Sequence, residues 1–359
     1  MNNKILIDTS YFSSSGAKKI CDELIKNFKS ENYYCIYKNQ LIYLKNNKII
    51  KKIRRKSSFF YKIYWYFFLL PWLIKKYNFD IYVSFNGYIP LIKFSKFKII
   101  VSFNNMLAFE VGRLEKFIKI NFFEKIKYKI LKFIYLISFL RSDKIIVFGK
   151  TIKNILIKNF YKKKIDTLYL GLDKNKSSKF KKNIFFYCSS YKSYKNHLFL
   201  IKAYSIIYKS NNQFPNLVFA GSYTPDDRKH LELLKNKIDK CKLNKKIIIY
   251  KNINKRKINY LLNNSRFLLF PSLCESSSVA FIEKISTNNQ VIASNIPINK
   301  EIGKKRVTYF DPYSIKSLVN KMLIAKNGNI IKVNIIKKFK HKYTWRNFVM
   351  NFSQICKNG

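Results

Sequence analysis

Acidic side chains are scarce in this sequence: 19 Asp and Glu stand against 71 Lys and Arg, a formal net charge of +52. No two aspartates fall in a D-x-D spacing, so the carboxylate pair that would hold a divalent ion on a diphosphate is missing. Histidine is rarer still. His197, His230 and His341 are the only three, and they form neither an HExxH pattern nor any other clustered ligand spacing. We therefore expect no metal site. The six cysteines (Cys21, Cys35, Cys188, Cys241, Cys274, Cys356) are widely spaced and make no CxxC pair. Met1 leads at once into the strand-like KILID, with no signal peptide before it, so free thiols in a reducing cytoplasm are expected. No uncharged apolar run approaches the roughly 20 residues that cross a bilayer. The basic charge comes without an RRM, KH, zinc-finger or helix-turn-helix signature, which counts against a nucleic-acid-binding protein and leaves that reading as an alternative.

What is present points to a folded chain. Its 359 residues suffice for two domains with buried cores, and 48% of them are hydrophobic. A surface this basic attracts polyanions, whether nucleic acid, anionic lipid or phosphorylated substrates. The same excess also follows from drift toward AT-rich codons, because Lys, Asn, Ile, Phe and Tyr are abundant together. The Lys residues are scattered rather than blocked, as drift would leave them.

Apolar runs and helical spacing alternate along the chain. Lys4–Asp8 reads as a strand, Ser13–Gly16 as a small-residue turn, and Lys18–Phe28 as a helix with Ile20, Leu24, Ile25 and Phe28 on one face. Further strands are expected at Ile81–Phe85, Lys98–Phe103 and Lys144–Phe148. The polar, Lys-rich Lys174–Lys182 reads as a linker. Beyond it come strands at Ile184–Cys188, Leu217–Ala220 (closed by Gly221), Lys246–Tyr250, Phe267–Phe270 and Val291–Ala293. Helices at His197–Tyr208, Arg228–Cys241 and Ile258–Asn263 alternate with them. Two successive βα sheets predict an α/β protein of two Rossmann-like, doubly wound parallel-sheet domains facing a central cleft. The first domain spans 1–173 and the second 174–340.

The informative stretch for chemistry runs from Phe270 to Asn295. A strand ends at Phe270, Pro271 and Ser272 turn the chain, and Glu275 stands in the following loop. Ser276, Ser277 and Ser278 then lead into a helix bearing Glu283. Small residues at a helix start leave backbone N–H groups open, and the helix dipole favours an anion there. Two carboxylates so placed can accept hydrogen bonds from sugar hydroxyls. An ordinary helix with serine caps and a solvated Glu283 is the alternative on these residues alone.

This stretch resembles the E-x7-E motif of retaining GT-B glycosyltransferases of family 4, written P-S-x-x-E-G-F-G-L-P-x-L-E-A. Pro271-Ser272 matches the lead-in, Glu275 the first Glu, Val279 the Leu and Glu283 the second Glu. Val291–Asn295 (VIASN) matches the strand that follows. Gly-Phe-Gly is replaced here by Ser276-Ser277-Ser278, and C-G-V-P by Thr287-Asn288-Asn289-Gln290. The resemblance implies that Glu275 lies beside the donor sugar and that Glu283 binds the nucleotide ribose. Tyr187–Asn196 (YCSSYKSYKN) resembles the Y-V-G-R-L-x-P-x-K-N of the same family. Lys195 then takes the place of the lysine that neutralises the donor diphosphate, and Ser190 that of a second basic residue, Arg, for which Lys192 can substitute. Ser13–Gly16, with Ser15 and Gly16 at its end, occupies the family's Gly-rich loop after the first strand, an acceptor or phosphate loop. Tyr343-Thr344-Trp345 resembles the F-S-W that opens a last helix, here 341–359, crossing back to the first domain. The family's His-Asp is replaced by Asn104-Asn105, so no catalytic role is expected there.

Two stretches, Phe59–Lys76 and Lys116–Leu140, mix aromatics with Lys. They read as interfacial helices drawn to anionic lipid, or else as core-facing helices with Lys on the wet face. The resemblance thus predicts a retaining, metal-independent hexosyltransferase with no cofactor beyond its nucleotide-sugar substrate, UDP- or GDP-linked. Its acceptor would be a glycan or a lipid-linked glycan in polysaccharide or lipopolysaccharide biosynthesis. It would act in the cytoplasm, peripherally on the inner face of the plasma membrane. Another nucleotide-sugar enzyme on the same fold, such as an epimerase, is a further alternative.

Overall fold

A computed structural model describes residues 3–10, 15–28, 31–53, 58–90, 97–159, 164–172, 182–276, 279–286, 289–328 and 343–358. The chain divides into two compact units. The first comprises Met1–Phe109, Lys125–Gly171 and Tyr343–Gly359, the second Glu110–Glu124 and Leu172–Lys342.

The chain begins with β1 (Ile5–Asp8), α1 (Ser15–Asn27), β2 (Tyr33–Tyr37), β3 (Gln40–Tyr43) and β4 (Lys48–Lys52). Helices α2 (Phe59–Tyr64) and α3 (Leu70–Lys76) follow, joined by a wider π turn over Trp65–Leu69. Then come β5 (Ile81–Ser84), β6 (Lys98–Phe103), α4 (Leu107–Leu114), α5 (Phe122–Arg141), β7 (Lys144–Val147), α6 (Lys150–Asn159) and β8 (Lys164–Thr167). Among the described residues these strands form one sheet in the order β4-β3-β2-β1-β5-β6-β7-β8. Pairing is parallel from β2 through β8, while β2–β3 and β3–β4 are antiparallel. Strands β1, β5 and β7 are buried at every position, the mark of parallel strands covered on both faces. The β2–β3 turn is Lys38-Asn39, both with positive φ, as a two-residue type I′ hairpin requires. Edge strand β4 is exposed and carries Lys48, Lys51 and Lys52, which discourage pairing with another chain.

Two expectations are corrected here, and a third lies almost wholly outside the described residues. Ser15 and Gly16 belong to the first turn of α1 rather than to the turn before it. Backbone N–H groups in a first turn have no intrahelical partner anyway, so a glycine costs little there. The Lys174–Lys182 linker lies outside the described residues except for Lys182, which already belongs to a strand. Lys116–Asn121 is not helical, since α5 starts at Phe122.

The Phe59–Lys76 stretch has a buried side and an exposed side. Trp65, Tyr66, Leu70, Leu73 and Ile74 are buried, whereas Phe60 is 80% exposed, Phe68 61% and Trp72 46%. Pro71 has no N–H to donate and its ring crowds the preceding turn, so the helix passes it through the π turn, where Leu70 N donates to the Trp65 carbonyl.

The second unit contains β9 (Lys182–Cys188), α7 (His197–Ser210), β10 (Leu217–Gly221), α8 (Arg228–Lys240), β11 (Ile247–Lys251), α9 (Lys255–Asn264) and β12 (Ser265–Phe270). These are followed by α10 (Val279–Ile285), β13 (Gln290–Ser294), α11 (Pro297–Gly303), β14 (Thr308–Phe310) and α12 (Ile315–Lys326). Its sheet, in the order β11-β10-β9-β12-β13-β14, is parallel throughout. The winding reverses between β9 and β12, and a doubly wound sheet binds ligands outside the carboxyl ends of the strands at that point.

A last helix, Trp345–Lys357, belongs to the first unit. Thr344 caps it, its Oγ1 accepting from Asn347 N at 3.0 Å. Phe352 packs edge-on against Phe28 at 6.0 Å, and the buried Lys144 donates to the Ile355 carbonyl at 2.9 Å.

Candidate active site

The carboxyl ends of β9 and β12 continue into two loops, Ser189–Asn196 and Pro271–Ser276. Several hydrogen bonds lace these loops together. Leu273 N donates to the Tyr194 carbonyl at 2.9 Å. The fully buried Tyr187 hydroxyl donates to the Lys195 carbonyl at 3.0 Å and lies 3.3 Å from Ser272 Oγ. Ser294 Oγ, from β13, donates to the Ser272 carbonyl at 2.6 Å. Asn196 takes the left-handed conformation (φ 64°) that turns the chain from the Ser193–Lys195 3-10 turn into α7, a backbone region asparagine tolerates. Gly221, ending β10, admits no Cβ because the Ser189 carbonyl oxygen occupies that space.

The lacing brings Lys195 and Glu275 together. Their Nζ and Oε1 atoms are 2.5 Å apart, and both side chains are largely buried. Burial alone would lower the Lys195 pKa, but the charge and hydrogen bond of Glu275 prevail and raise it above the ordinary lysine value. Lys195 therefore stays protonated, with N–H donors left for a further anion. Tyr187 is likewise raised, by burial, and remains a neutral donor. His197 opens α7 fully buried among Tyr187, Tyr191 and Phe219, and burial lowers its pKa, so it is a neutral imidazole. Its Nε2 lies 3.2 Å from Ser189 Oγ.

The remaining candidates are placed as follows. Lys192 Nζ pairs with Asp227 at 2.6 Å, and Asp227 also accepts from Thr224 N and Oγ1 at 2.9 and 2.8 Å. Lys192 is thereby held at the start of α8. Ser190 and Ser276 are half-buried in the two loops. Ser277 and Ser278 lie outside the described residues, as do Thr287 and Asn288, and Val279 opens α10. Glu283 is half-buried on α10, and its charge acts on Cys188 and Lys284. Ser15 and Gly16 lie in the first unit.

Sequence reasoning missed two neighbours of the pair. Lys284 follows Glu283 directly but is 1% exposed, its Nζ donating to the Cys188 carbonyl at 3.0 Å. Arg113, from the Glu110–Glu124 segment of the second unit, donates to the Leu273 carbonyl at 3.2 Å, two residues before Glu275. It also bonds Glu110 and Tyr313, and Phe117 stacks on Tyr313 at 3.9 Å. The signal for Arg113 was its i,i+3 spacing from Glu110. Nothing separated Lys284 from the many other lysines.

The loops at this switch point fall within residues 172–342, which match the family model described as glycosyl transferases group 1. That span is thus similar to the group 1 glycosyl transferases. The capsular polysaccharide biosynthesis glycosyltransferase CapH of Staphylococcus aureus is 30% identical over 239 residues. That match spans 65% of this chain and 64% of CapH, less than two thirds of the relative's length. Sucrose-phosphate synthase of Thermosynechococcus elongatus superposes over 99% of both chains with a TM-score of 0.78 at 11% identity. HepE of Anabaena, solved in complex with UDP and glucose, covers 99% of this chain and 100% of its own, with a TM-score of 0.73 at 11% identity. These likenesses show the fold: the chain has the GT-B architecture.

Proposed function

We propose that this chain is a retaining, metal-independent glycosyltransferase of family 4. It moves a hexose from a UDP- or GDP-linked donor to a glycan or lipid-linked acceptor in cell-surface polysaccharide assembly. The observation that carries this reading is the Lys195–Glu275 pair at the switch point of the second unit, 2.5 Å between Nζ and Oε1. Glu283 stands on the helix that follows, seven residues separating the two carboxylates. In the transfer, the bond between the sugar's anomeric carbon and the diphosphate oxygen breaks, and its electron pair leaves with the nucleotide. The acceptor oxygen forms the new bond on the same face and passes its proton to the departing diphosphate oxygen. Charge gathers on the departing diphosphate, where the Lys195 ammonium stabilises it without help from a metal. Glu275 accepts hydrogen bonds from the donor sugar and Glu283 from the ribose hydroxyls, and Ser190, Lys192 and Ser276–Val279 are assigned to the rest of the donor site. Ser15 and Gly16 are assigned to the acceptor side. The name of CapH and the UDP and glucose bound to HepE support the donor and pathway.

We further read the outward aromatics as a docking face on the inner leaflet of the plasma membrane. Among the described residues, Phe60, Phe68 and Trp72 stand exposed on the Phe59–Lys76 stretch, and Phe133 and Leu140 on α5. Lys51 and Lys76 lie over the Trp72 ring at 4.3 and 4.9 Å. Aromatics flanked by lysines suit an anionic headgroup layer. Among the described residues no helix is long and apolar enough to cross a membrane.

A panel of nucleotide sugars in excess chelator tests the enzymatic reading. One UDP- or GDP-sugar should raise the unfolding temperature and be consumed, with the product's anomeric configuration matching the donor's. Stabilisation by no member of the panel, inversion at the anomeric carbon, or activity restored only by Mg²⁺ or Mn²⁺ would overturn it.

A further inference from the structure

Lys284 poses a physical question that the proposed chemistry leaves open. Its side chain passes from α10 to the carboxyl ends of β9 and β12, where Nζ donates to the Cys188 carbonyl at 3.0 Å. It lies 5.3 Å from the Tyr187 ring centroid and 4.9 Å from that of Phe270, one ring from each strand at the switch point. Taking an ammonium out of water is costly, and an apolar side chain of similar length would fill the same space without that cost. The motif quoted above has alanine at this place, so helix packing does not call for a lysine. After burial itself, the groups that act on Lys284 are Cys188 at the end of β9, then Lys195 and Glu275 from the two loops of the proposed donor site, and Glu283 from its own helix.

We propose that the Lys284 ammonium is a buried cation of the donor site, acting with Lys195 on the diphosphate from beneath the ends of β9 and β12 without touching it. This rests on the reading of the site as a nucleotide-sugar site. In a region shielded from water a fixed charge is felt at longer range than at the surface, and it needs no reorganisation when the anion arrives. Lys284 is in this sense a positioning residue.

The proposal carries a pH signature. The groups facing Lys284 are Tyr187 and Cys188 at the end of β9, Lys195 and Glu275 in the loops, Glu283 on α10 and, further off, His197. Burial raises Tyr187 and Cys188 and lowers His197, while Glu275 keeps Lys195 charged. Burial pushes Lys284 itself down to about 8. Its charge is present below that pH and lost above it, so diphosphate affinity should fall as pH rises from 7 to 9.

Calorimetric titration with UDP, GDP, uridine and guanosine tests this on wild type and Lys284→Met. We expect the variant to lose roughly tenfold in affinity for the diphosphate that wild type binds, to keep its nucleoside affinity, and to lose the alkaline fall. Unchanged diphosphate affinity, or an equal loss for nucleoside and diphosphate, would overturn the proposal. Should Lys284→Met fail to fold, the wild-type titration decides: an affinity flat from pH 7 to 9 overturns it. Wild type binding neither diphosphate would instead bring down the donor-site reading itself.

Discussion

Between β9 and β12 the strand ends present an ammonium and a carboxylate 2.5 Å apart, with a second ammonium buried beneath them. Between β1 and β5, where the first sheet reverses its winding, they present a different set. Asp8 accepts from the Tyr82 hydroxyl and from Ser10 N, both at 2.7 Å. Asn86 donates to the Ser10 carbonyl at 2.6 Å and to the Tyr66 hydroxyl at 2.9 Å, and accepts from Ser84 Oγ at 2.8 Å. The network at β1 and β5 uses its hydrogen bonds to tie strand ends and helix together, while the one at β9 and β12 holds cations in place. Two sheets that each reverse their winding once thus differ in what they offer an anion. Topology supplies a crevice at each switch point, but side-chain charge decides whether a diphosphate is held there.

The strongest way to break this contrast is a matched pair of amide substitutions. Glu275→Gln, which leaves Lys195 largely buried without its counter-charge, should lower kcat by roughly a hundredfold to a thousandfold. Asp8→Asn should cost about 1–3 kcal/mol in chemical denaturation yet leave nucleotide affinity unchanged. Equal losses of nucleotide affinity in the two variants would erase the distinction. Next in size, Glu283→Ala should weaken nucleotide binding roughly tenfold to a hundredfold, the effect of about 1.5–3 kcal/mol for a hydrogen bond to a charged group. Calorimetry on a variant with an unaltered unfolding curve would read this directly, and unchanged affinity would remove Glu283 from the site.

The smallest effect concerns the first unit's outer surface. Phe60→Ser/Phe68→Ser/Trp72→Ser should reduce co-sedimentation with anionic vesicles about tenfold at physiological salt, with nucleotide affinity untouched. Sedimentation equal to wild type across a salt series would leave these aromatics without a membrane role. Trp65 is unsuitable for the same test, because it is buried and its replacement by Ser would cost about 3–5 kcal/mol of stability.

Strands β5, β6, β9, β10, β12 and β13 were legible within a residue or two because each is an apolar run bounded by polar residues. The β2–β3–β4 hairpins were not, since their turns use Lys38-Asn39 and Asn47 at positive φ where glycine would have announced them. The two faces of Phe59–Lys76 were hidden for another reason. A π turn breaks the 3.6-residue period from which a buried face is read. In the site, the spacing of Glu275 and Glu283 was visible, and resemblance gave it meaning. That Lys195 reaches Glu275 was not visible, because 80 positions and a whole sheet half separate them. Lys284 shows the limit most plainly. In a chain with so many solvated lysines, composition hides those that burial makes different, Lys284 and Lys144 among them.

The docking of Trp345–Lys357 on the first unit has a consequence for how the protein is made. Phe85 meets Phe352 at 5.5 Å, Tyr33 Oη lies 3.1 Å from Ser353 Oγ, and Gly171 admits no side chain because Trp345 fills that space. The first unit is thus completed by residues translated after the second. During synthesis, Phe28 and Phe85 wait without their final cover while most of the second unit emerges and folds. A ribosome stalled late in that interval would release a protein with a folded second unit and an unfinished first one. Chaperones and proteases would meet it through the first sheet, so a stop codon shortly before Trp345 should act more through abundance than through chemistry.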